Sequence, residues 1–410
     1  MPHSVSKTNF TSHLIAYAAS EAAAKVSRLL VVVAVARMMD AEAIGVAAAA
    51  LAAGDILKAF TENGVGQRII SAPEAELESR CNTARRIFWG WCLGLCGLQL
   101  LIAATLWGTG NQMLAALLAV LALEYLFMPA GLVQAALAMR EGKLRQTAAI
   151  AGGQVVGANL MTVILAVFWP SPLTLVLPRL LSAPIWLILM RRLRPWSRTD
   201  AAGFVPLQPF WAYGWAVLGV EVVKVLRLQA DKLVVGLMLG AESLGIYFMA
   251  FNAGLGLATS FTQAFSVVLF PYLCAANNRL GALRHGVSVS LLVLAPLVVL
   301  QAVMAPVYVP LLLGQQWSDV SLVVSILCLA ALPNVVWSAT AGWLRAEGRP
   351  QQELVVSVVL AAGLVGNVVV CAPFGMTAIA IGYLAVSVIT MLGAAFIILP
   401  SFSDRSLMRA

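Results

Sequence analysis

Charged side chains that interrupt long apolar stretches are the residues of this sequence with the clearest capacity for chemistry. Five acids and seven bases lie in such positions: Glu21, Asp55, Glu124, Glu221, Asp231, Lys25, Arg28, Lys58, Arg179, Lys224, Arg227 and Lys232. Lys and Arg in these settings can bind anionic groups, and Arg can bind a phosphate through two parallel hydrogen bonds. A carboxyl group in an apolar setting favours its protonated form, so it can carry a proton.

The spacing of these charges places several of them on common helix faces. At about 100° per residue, Glu21, Lys25 and Arg28 fall within an arc of about 60°, and Asp55 and Lys58 share a face of another helix. A second group spans about 140° of a later helix and consists of Glu221, Lys224, Arg227, Asp231 and Lys232. A helix with charges on one face must place that face against polar groups or against the charged face of another helix.

The composition indicates where these helices lie. Hydrophobic residues make up 61% of the 410 residues, charged residues make up 11%, and the mean hydropathy is +0.91, which predicts an all-α polytopic membrane protein. Twelve apolar stretches are each about long enough to cross a hydrocarbon core of about 30 Å as a helix. The predicted spans are 14–36, 44–61, 87–107, 113–139, 147–168, 173–190, 211–238, 244–269, 287–307, 320–344, 354–371 and 376–399.

The distribution of Lys and Arg predicts the orientation. With the N-terminus inside, the cytoplasmic segments hold 18 of the 26 basic residues and the outside loops hold only Arg37, so both termini are expected in the cytoplasm. The first span is long and contains charges, and we expect it to stay in the mature protein instead of acting as a cleaved signal. Basic cytoplasmic loops facing an anionic leaflet explain the net charge of +8, so nucleic acid is not expected as a partner.

A short internal repeat divides the chain. The segment MDAEAIGV (Met39–Val46) matches LGAESLGI (Leu239–Ile246) at an offset of 200 residues, and extending the alignment backwards pairs Glu21 with Glu221. The sequence therefore predicts two parallel six-helix bundles, residues 1–190 and 211–410, related by a pseudo-twofold axis along the membrane normal. A basic cytoplasmic linker at 191–210 joins them. Glu42 and Glu242 are expected in short outside corners, and Gly45 and Gly245 are expected to begin the next helix, where close packing or a tight turn needs no side chain.

The membrane charges have two interpretations, which the sequence leaves open. They either neutralise one another at i,i+3 and i,i+4 spacing or reach the interface, or they line a water-filled pathway between the bundles. For that pathway we predict a cationic set that binds substrate: Lys25, Arg28, Lys58, Lys224, Arg227 and Lys232. The acids predicted for coupling or charge pairing are Glu21, Asp55, Glu124, Glu221 and Asp231. Arg179 stands alone beside Pro178 in its span and fits either interpretation.

Two stretches resemble a known family. DKLVVGLMLGAESLGIYFMAFN (Asp231–Asn252) combines an Asp entering an apolar run, a small-residue corner and Leu-Gly-x-Tyr, and 36–70 ends in Glu-Asn-Gly-Val-Gly-Gln. Both are similar to the polysaccharide-transporter family of the multidrug, oligosaccharidyl-lipid and polysaccharide exporter superfamily. The resemblance implies a Wzx-type flippase that moves undecaprenyl-pyrophosphate-linked oligosaccharide repeat units across the bacterial inner membrane by alternating access, for exopolysaccharide, capsule or O-antigen synthesis.

The resemblance also implies partners. They are the lipid-linked oligosaccharide, membrane lipids, a proton or sodium ion as coupling ion, and a polysaccharide polymerase with a chain-length regulator. Twelve spans are fewer than the fourteen of the related lipid II flippases, which weakens that narrower assignment. Multidrug-and-toxin extruders share the two-bundle plan, and ion-coupled efflux is the alternative function.

Enzyme classes find little support in the sequence. It lacks GxGxxG after a strand, a Walker sequence and HExxH, and its cysteines form no paired framework. Cys92 and Cys96 share a helix face without nearby His, so we interpret them as ordinary apolar residues. A polytopic polymerase or glycosyltransferase is the enzymatic alternative, but the short outside loops disfavour it. No catalytic residue, metal site or cofactor is predicted.

Overall fold

A computed structural model describes residues 27–275, 278–347 and 349–399, and within these ranges the chain is helical and contains no strand. Two predicted site residues, Glu21 and Lys25, lie outside the described residues. The helices are α1 (27–38), α2 (Ala41–Ala59), α3 (Val65–Ile70), α4 (Leu77–Gly108), α5 (Gln112–Ala122), α6 (Glu124–Phe127), α7 (Pro129–Arg140), α8 (Leu144–Phe168), α9 (Leu173–Leu193), α10 (Gln208–Ala275), α11 (Arg279–Leu313), α12 (Ser321–Leu329), α13 (Ala331–Ala346), α14 (Pro350–Cys371), α15 (Met376–Ser387) and α16 (Gly393–Ile398).

The described helices include enough long apolar segments for a multi-pass membrane protein. Eight of them are long and apolar enough to cross a bilayer, and a ninth span results if the bent pair Gln112–Phe127 and Pro129–Arg140 is counted as one. That pair bends by 51° where Pro129 opens α7, because proline lacks the N–H that would continue the hydrogen-bond ladder. The all-helical membrane class is confirmed, and the total of twelve spans stays a prediction.

Helix α10 contains two predicted spans, 211–238 and 244–269, in one run. Gly240 separates its two legs with φ 86° and ψ 176°, a backbone conformation with positive φ that favours glycine. This bend lies in the second copy of the repeated motif. The break in the helix therefore lies at the corner that the repeat predicts.

The described chain forms two compact units. Unit 1 contains 27–39 and 53–222, and unit 2 contains 40–52 and 223–399. This grouping follows packing, whereas the bundles predicted for 1–190 and 211–410 follow the sequence repeat. The predicted bundle boundaries and the pseudo-twofold axis stay predictions.

The linker between α9 and α10 is docked on unit 1. Asn82 on α4 donates hydrogen bonds to the carbonyl oxygens of Thr199 at 2.8 Å and Gly203 at 3.0 Å. The Thr83 hydroxyl accepts from the backbone N–H of Val205 at 2.9 Å and donates to its carbonyl oxygen at 3.1 Å, and Trp196 donates to Glu78 at 3.0 Å. These contacts anchor an otherwise irregular segment of the chain to the first turns of α4.

Ion pairs fasten the start of the linker. Glu141, in the turn before α8, forms ion pairs with Lys143 at 2.9 Å and with Arg194. The hydrogen bond from Lys143, aided by Arg194, lowers the pKa of the Glu141 carboxyl below its ordinary value. Both cations are among the basic residues that the sequence predicts on the cytoplasmic side.

The repeated glycines meet one another inside unit 2. A Cβ on Gly45 would lie 2.5 Å from the carbonyl carbon of Ala241 and 2.9 Å from the nitrogen of Gly245. A Cβ on Gly245 would lie 2.8 Å from the carbonyl carbon of Ala41 and 3.0 Å from the nitrogen of Gly45. The backbone at each glycine thus packs directly on the backbone at the other, which confirms the close packing expected at Gly45 and Gly245.

Candidate functional site

Four of the membrane charges converge in unit 1. Asp55 and Lys58 lie one turn apart on α2, Glu124 begins α6, and Arg179 lies on α9 beside Pro178. Lys58 Nζ is 2.7 Å from Glu124 Oε2, and Arg179 Nη1 donates to Asp55 Oδ1 at 2.6 Å. We call these four residues the charge quartet, which contains two acids and two bases.

The quartet pairs its charges between helices. Asp55 and Lys58 have the i,i+3 spacing of a local ion pair, but each of them forms an ion pair with a residue of another helix. Arg179 and Glu124 are each the lone charge of their predicted span, and in the structure each has an oppositely charged partner on α2. Two isolated charges at membrane depth would each be costly, whereas pairing reduces the cost.

The members of the quartet differ in exposure. The Glu124 side chain is 8% exposed and that of Lys58 is 42% exposed, while Asp55 and Arg179 are 27% and 35% exposed. Glu124 Oε1 is buried and has no hydrogen-bond partner among the described residues. One acid of the quartet is therefore enclosed, and its cation is accessible.

An apolar and aromatic cluster contains Tyr125, the helix neighbour of Glu124. Cys92, Cys96 and Tyr125 pack into one buried core, with Trp91 and Phe60 against it. The Trp91 indole N–H donates to the carbonyl oxygen of Phe60 at 2.6 Å, which fixes the chain just beyond the last turn of α2. Cys92 and Cys96 are buried side chains of this core, as the sequence predicts.

A second group of charges lies in unit 2. Asp231 is 3% exposed, and the buried Tyr247 hydroxyl donates to its Oδ2 at 2.8 Å. Asp231 Oδ1 is buried without a hydrogen-bond partner among the described residues. Because Gly240 bends α10 between them, residues 16 positions apart on one helix can form this contact.

Cations and aromatic rings surround this acid. Lys232 Nζ lies 5.3 Å from the centre of the Phe251 ring, and it donates to Leu228 and, at 3.1 Å, to Gln229. Phe251 contacts both Tyr247 and Tyr383 with ring centres 5.0 Å apart. We call the residues Arg227, Asp231, Lys232, Tyr247, Phe251 and Tyr383 the Asp231 cluster.

Arg227 joins this cluster electrostatically. Arg227 is half-buried and lies within electrostatic range of the Glu353 carboxylate and near the Tyr383 phenol. Glu353 is itself paired with Arg345 at the start of α14. Arg227 is thus held near both aromatic and acidic groups.

The structure therefore brings together some of the predicted site residues. Asp55, Lys58 and Glu124 meet in unit 1, and Arg227, Asp231 and Lys232 meet in unit 2. Arg28 and Lys224 are exposed, and Glu221 is half-buried. The roles of all these residues in substrate binding or coupling stay predictions.

Sequence reasoning misses the neutral partners of the site. Tyr247 and Tyr383 carry no charge, and they lie in segments of high mean hydropathy, where a tyrosine does not stand out from its neighbours. A signal exists for Tyr247, because it closes the Leu-Gly-x-Tyr motif that follows the Gly240 corner. Tyr383 lies in an uninterrupted apolar stretch, and no spacing in the sequence relates it to Asp231.

Comparison with known proteins gives concordant matches. The model of the family described as "Polysaccharide biosynthesis protein" matches residues 34–322. The lipopolysaccharide biosynthesis protein WzxC of Escherichia coli K12 is 24% identical over 299 residues, which is 70% of this chain and 60% of WzxC. The match therefore spans less than two thirds of that relative.

Two solved structures share the fold. The lipid II flippase MurJ has a TM-score of 0.77 at 12% identity, covering 94% of this chain and 87% of MurJ. An inward-facing multidrug resistance MATE family transporter of the MOP superfamily has a TM-score of 0.67 at 13% identity, covering 91% and 93%. At these identities the likeness concerns the fold alone.

Proposed function

Because the chain belongs to the polysaccharide biosynthesis protein family, we propose that it is a flippase for lipid-linked oligosaccharides. It carries undecaprenyl-pyrophosphate-linked repeat units from the cytoplasmic to the periplasmic leaflet of a bacterial inner membrane by alternating access. The observation that carries the proposal is the family match over residues 34–322. The name of the relative WzxC, a lipopolysaccharide biosynthesis protein, agrees with it.

The charges of the membrane helices suit such a substrate. A pyrophosphate must exchange its hydration shell for cations while the lipid tail stays in the bilayer, and Arg and Lys provide those cations. Arg28 and Lys224 are exposed and Lys58 is partly exposed, so a ligand can reach them. Since a charge at the bilayer centre costs about 2.5–3.5 kcal/mol on insertion scales, retaining several of them supports a functional role.

Arg28 and Arg227 are the proposed phosphate ligands. In a strain lacking its native flippase, Arg28→Ala and Arg227→Ala should each abolish surface polysaccharide while the protein remains in the membrane. Arg279→Ala is the matched control, because Arg279 forms an ion pair with Glu347 in a loop contact at 3.0 Å. Full surface polysaccharide in both test variants would refute their role.

The remaining parts of the proposal concern coupling and assembly. Glu124 and Asp231 are the proposed coupling acids, for a proton or a sodium ion, because both are buried carboxyl groups at membrane depth. Both termini are proposed to lie in the cytoplasm. A polymerase and a chain-length regulator would receive the repeat unit on the periplasmic side.

Ion-coupled efflux of drugs is the second candidate, since a multidrug MATE transporter shares the fold. The excess of seven bases over five acids in the predicted spans favours an anionic substrate over a cationic drug. Deleting the gene separates the candidates. Loss of surface polysaccharide supports the flippase, whereas increased sensitivity to cationic drugs with normal polysaccharide supports efflux.

A further inference from the structure

The ion pair between Lys58 and Glu124 is asymmetric. The ammonium and the carboxylate are 2.7 Å apart, yet the Lys58 side chain is 42% exposed and the Glu124 side chain is 8% exposed. In the neighbouring pair, Asp55 and Arg179 are exposed to similar degrees, 27% and 35%. An incoming anion can therefore reach Lys58 but cannot reach its partner.

Withdrawing Lys58 would leave Glu124 in unfavourable surroundings. Its Oε2 would lose the only ion pair that the described residues show for it, and its Oε1 already lacks a hydrogen-bond donor among them. The Glu124 side chain is only 8% exposed, so the carboxylate has little access to water, and its helix neighbour Tyr125 packs into a core with Cys92 and Cys96. An uncompensated carboxylate in such a place favours the neutral form.

We propose that Lys58 exchanges partners during transport, and that Glu124 takes up one proton when it does. An anionic phosphate or pyrophosphate group binds the Lys58 ammonium, the ion pair with Glu124 opens, and a proton from solvent binds the Glu124 carboxylate. When the anion leaves, the proton is released and the ion pair forms again. Each bound anion is thus accompanied by one proton at Glu124, and this proton offsets one negative charge of the anion.

The other groups around Glu124 do not substitute for the proton. Arg179 also interacts electrostatically with Glu124, but its Nη1 is held by Asp55 at 2.6 Å. Turning Arg179 to Glu124 would therefore break an existing ion pair. The titratable and charged groups that face Glu124 or its neighbour Tyr125 are Asp55 and Lys58 from α2, Cys92 and Cys96 from α4, Tyr125 from α6 and Arg179 from α9.

The proposal rests on the proposed function only for the chemical class of the anion. Inorganic pyrophosphate is therefore a sufficient probe, and no lipid-linked sugar is needed. Infrared difference spectroscopy of the full chain in lipid bilayers, recorded with and without pyrophosphate, detects a protonated carboxyl group directly by its C=O stretching band. Wild-type protein should gain one such band when pyrophosphate binds.

Three variants identify the group. Glu124→Gln should lose the band, and Glu124→Asp should keep a band at a shifted frequency because it retains a carboxyl group. Lys58→Met should show no pyrophosphate-dependent change, since its Glu124 lacks the ion pair before the anion arrives. Glu347→Gln, which alters a loop ion pair with Arg279, should give the wild-type spectrum.

Defined outcomes would overturn the proposal. They are a wild-type spectrum without a new carboxyl band, a band that persists in Glu124→Gln, or a pyrophosphate response in Lys58→Met equal to that of wild type. Failure of the flippase assignment appears elsewhere, as normal surface polysaccharide in a strain without the gene. The two failures are therefore distinguishable.

Discussion

The charge quartet of unit 1 and the Asp231 cluster of unit 2 hold their buried acids in different ways. In the quartet, Glu124 faces an ammonium from another helix at 2.7 Å. In the Asp231 cluster, the acid accepts a hydrogen bond from the neutral hydroxyl of Tyr247 at 2.8 Å. Lys232, although next to Asp231 in sequence, lies over the Phe251 ring and donates to its own helix.

This difference separates two kinds of membrane acid. An acid compensated by a cation depends on that cation, and an anionic ligand can compete for it. Asp231 has Lys232 as a nearby counter-charge, but its hydrogen bond comes from a neutral phenol, which an anion does not attract. We therefore expect an anion to change the pairing of Glu124 in the quartet, and to leave the hydrogen bond of Asp231 in place even when Arg227 of the same cluster binds phosphate. Three sets of substitutions test this contrast.

Removing the cation of the quartet should have the largest effect. Lys58→Met removes the counter-charge of the buried Glu124. Breaking a fully buried pair costs about 3–5 kcal/mol, and we expect about 3 kcal/mol here because the Lys58 side chain is 42% exposed and the carboxylate can take up a proton. Lys58→Met with Glu124→Gln should recover much of that loss because the buried charge is gone. Thermal unfolding in detergent of both single variants and the double variant measures the coupling. Additive losses would show that the two residues do not depend on one another.

Two glycines of α2, one in each unit, test how closely the helix packs in that unit. Gly45→Ala in unit 2 meets backbone atoms of Ala241 and Gly245, which cannot move aside, so we expect a loss of about 3 kcal/mol, the upper end of the usual overpacking range. Gly54→Ala in unit 1 meets the end of the Leu121 side chain at 2.9 Å, which can shift. The matched control should therefore lose less stability. Equal losses of stability in the two variants would contradict the close backbone contact at Gly45.

Removing the phenol should have a smaller effect than removing the ammonium. Tyr247→Phe takes away one hydrogen bond to Asp231 without removing a charge, and a buried group left unsatisfied costs about 1–3 kcal/mol. Thermal unfolding of Tyr247→Phe and of Lys58→Met shows which of the two acids depends more on its partner for the stability of the fold. A loss in Tyr247→Phe larger than that in Lys58→Met would reverse the contrast between the two regions.

Much of the fold follows from the sequence. Each predicted span that falls within the described residues lies on a helix, since long apolar runs at membrane depth must satisfy their backbone hydrogen bonds internally. The repeat also anticipates the close packing of Gly45 and Gly245, because a motif preserved twice in apolar sequence indicates a local steric need. Gly240 interrupts the helical backbone between the predicted spans 211–238 and 244–269, at the point where hydropathy also separates them.

The partners in the site are less accessible to sequence reasoning. Asp55 and Arg179 are 124 positions apart, and Lys58 and Glu124 are 66 apart, so their pairing depends on how α2, α6 and α9 pack. Helical periodicity relates residues within one helix only. It therefore predicts shared faces for Asp55 and Lys58 but cannot choose between a local pair and pairs with other helices.

Transport of a lipid-linked oligosaccharide by the purified protein tests the central claim most directly. The full chain is reconstituted into vesicles that carry undecaprenyl-pyrophosphate-linked repeat units in the inner leaflet, and the glycan reaching the outer leaflet is measured by its release with an added glycosidase. We predict release above that of protein-free vesicles, and its loss in the variant carrying both Arg28→Ala and Arg227→Ala. Release at the rate of protein-free vesicles, from wild-type protein that is folded and inserted, would contradict the assignment as a flippase.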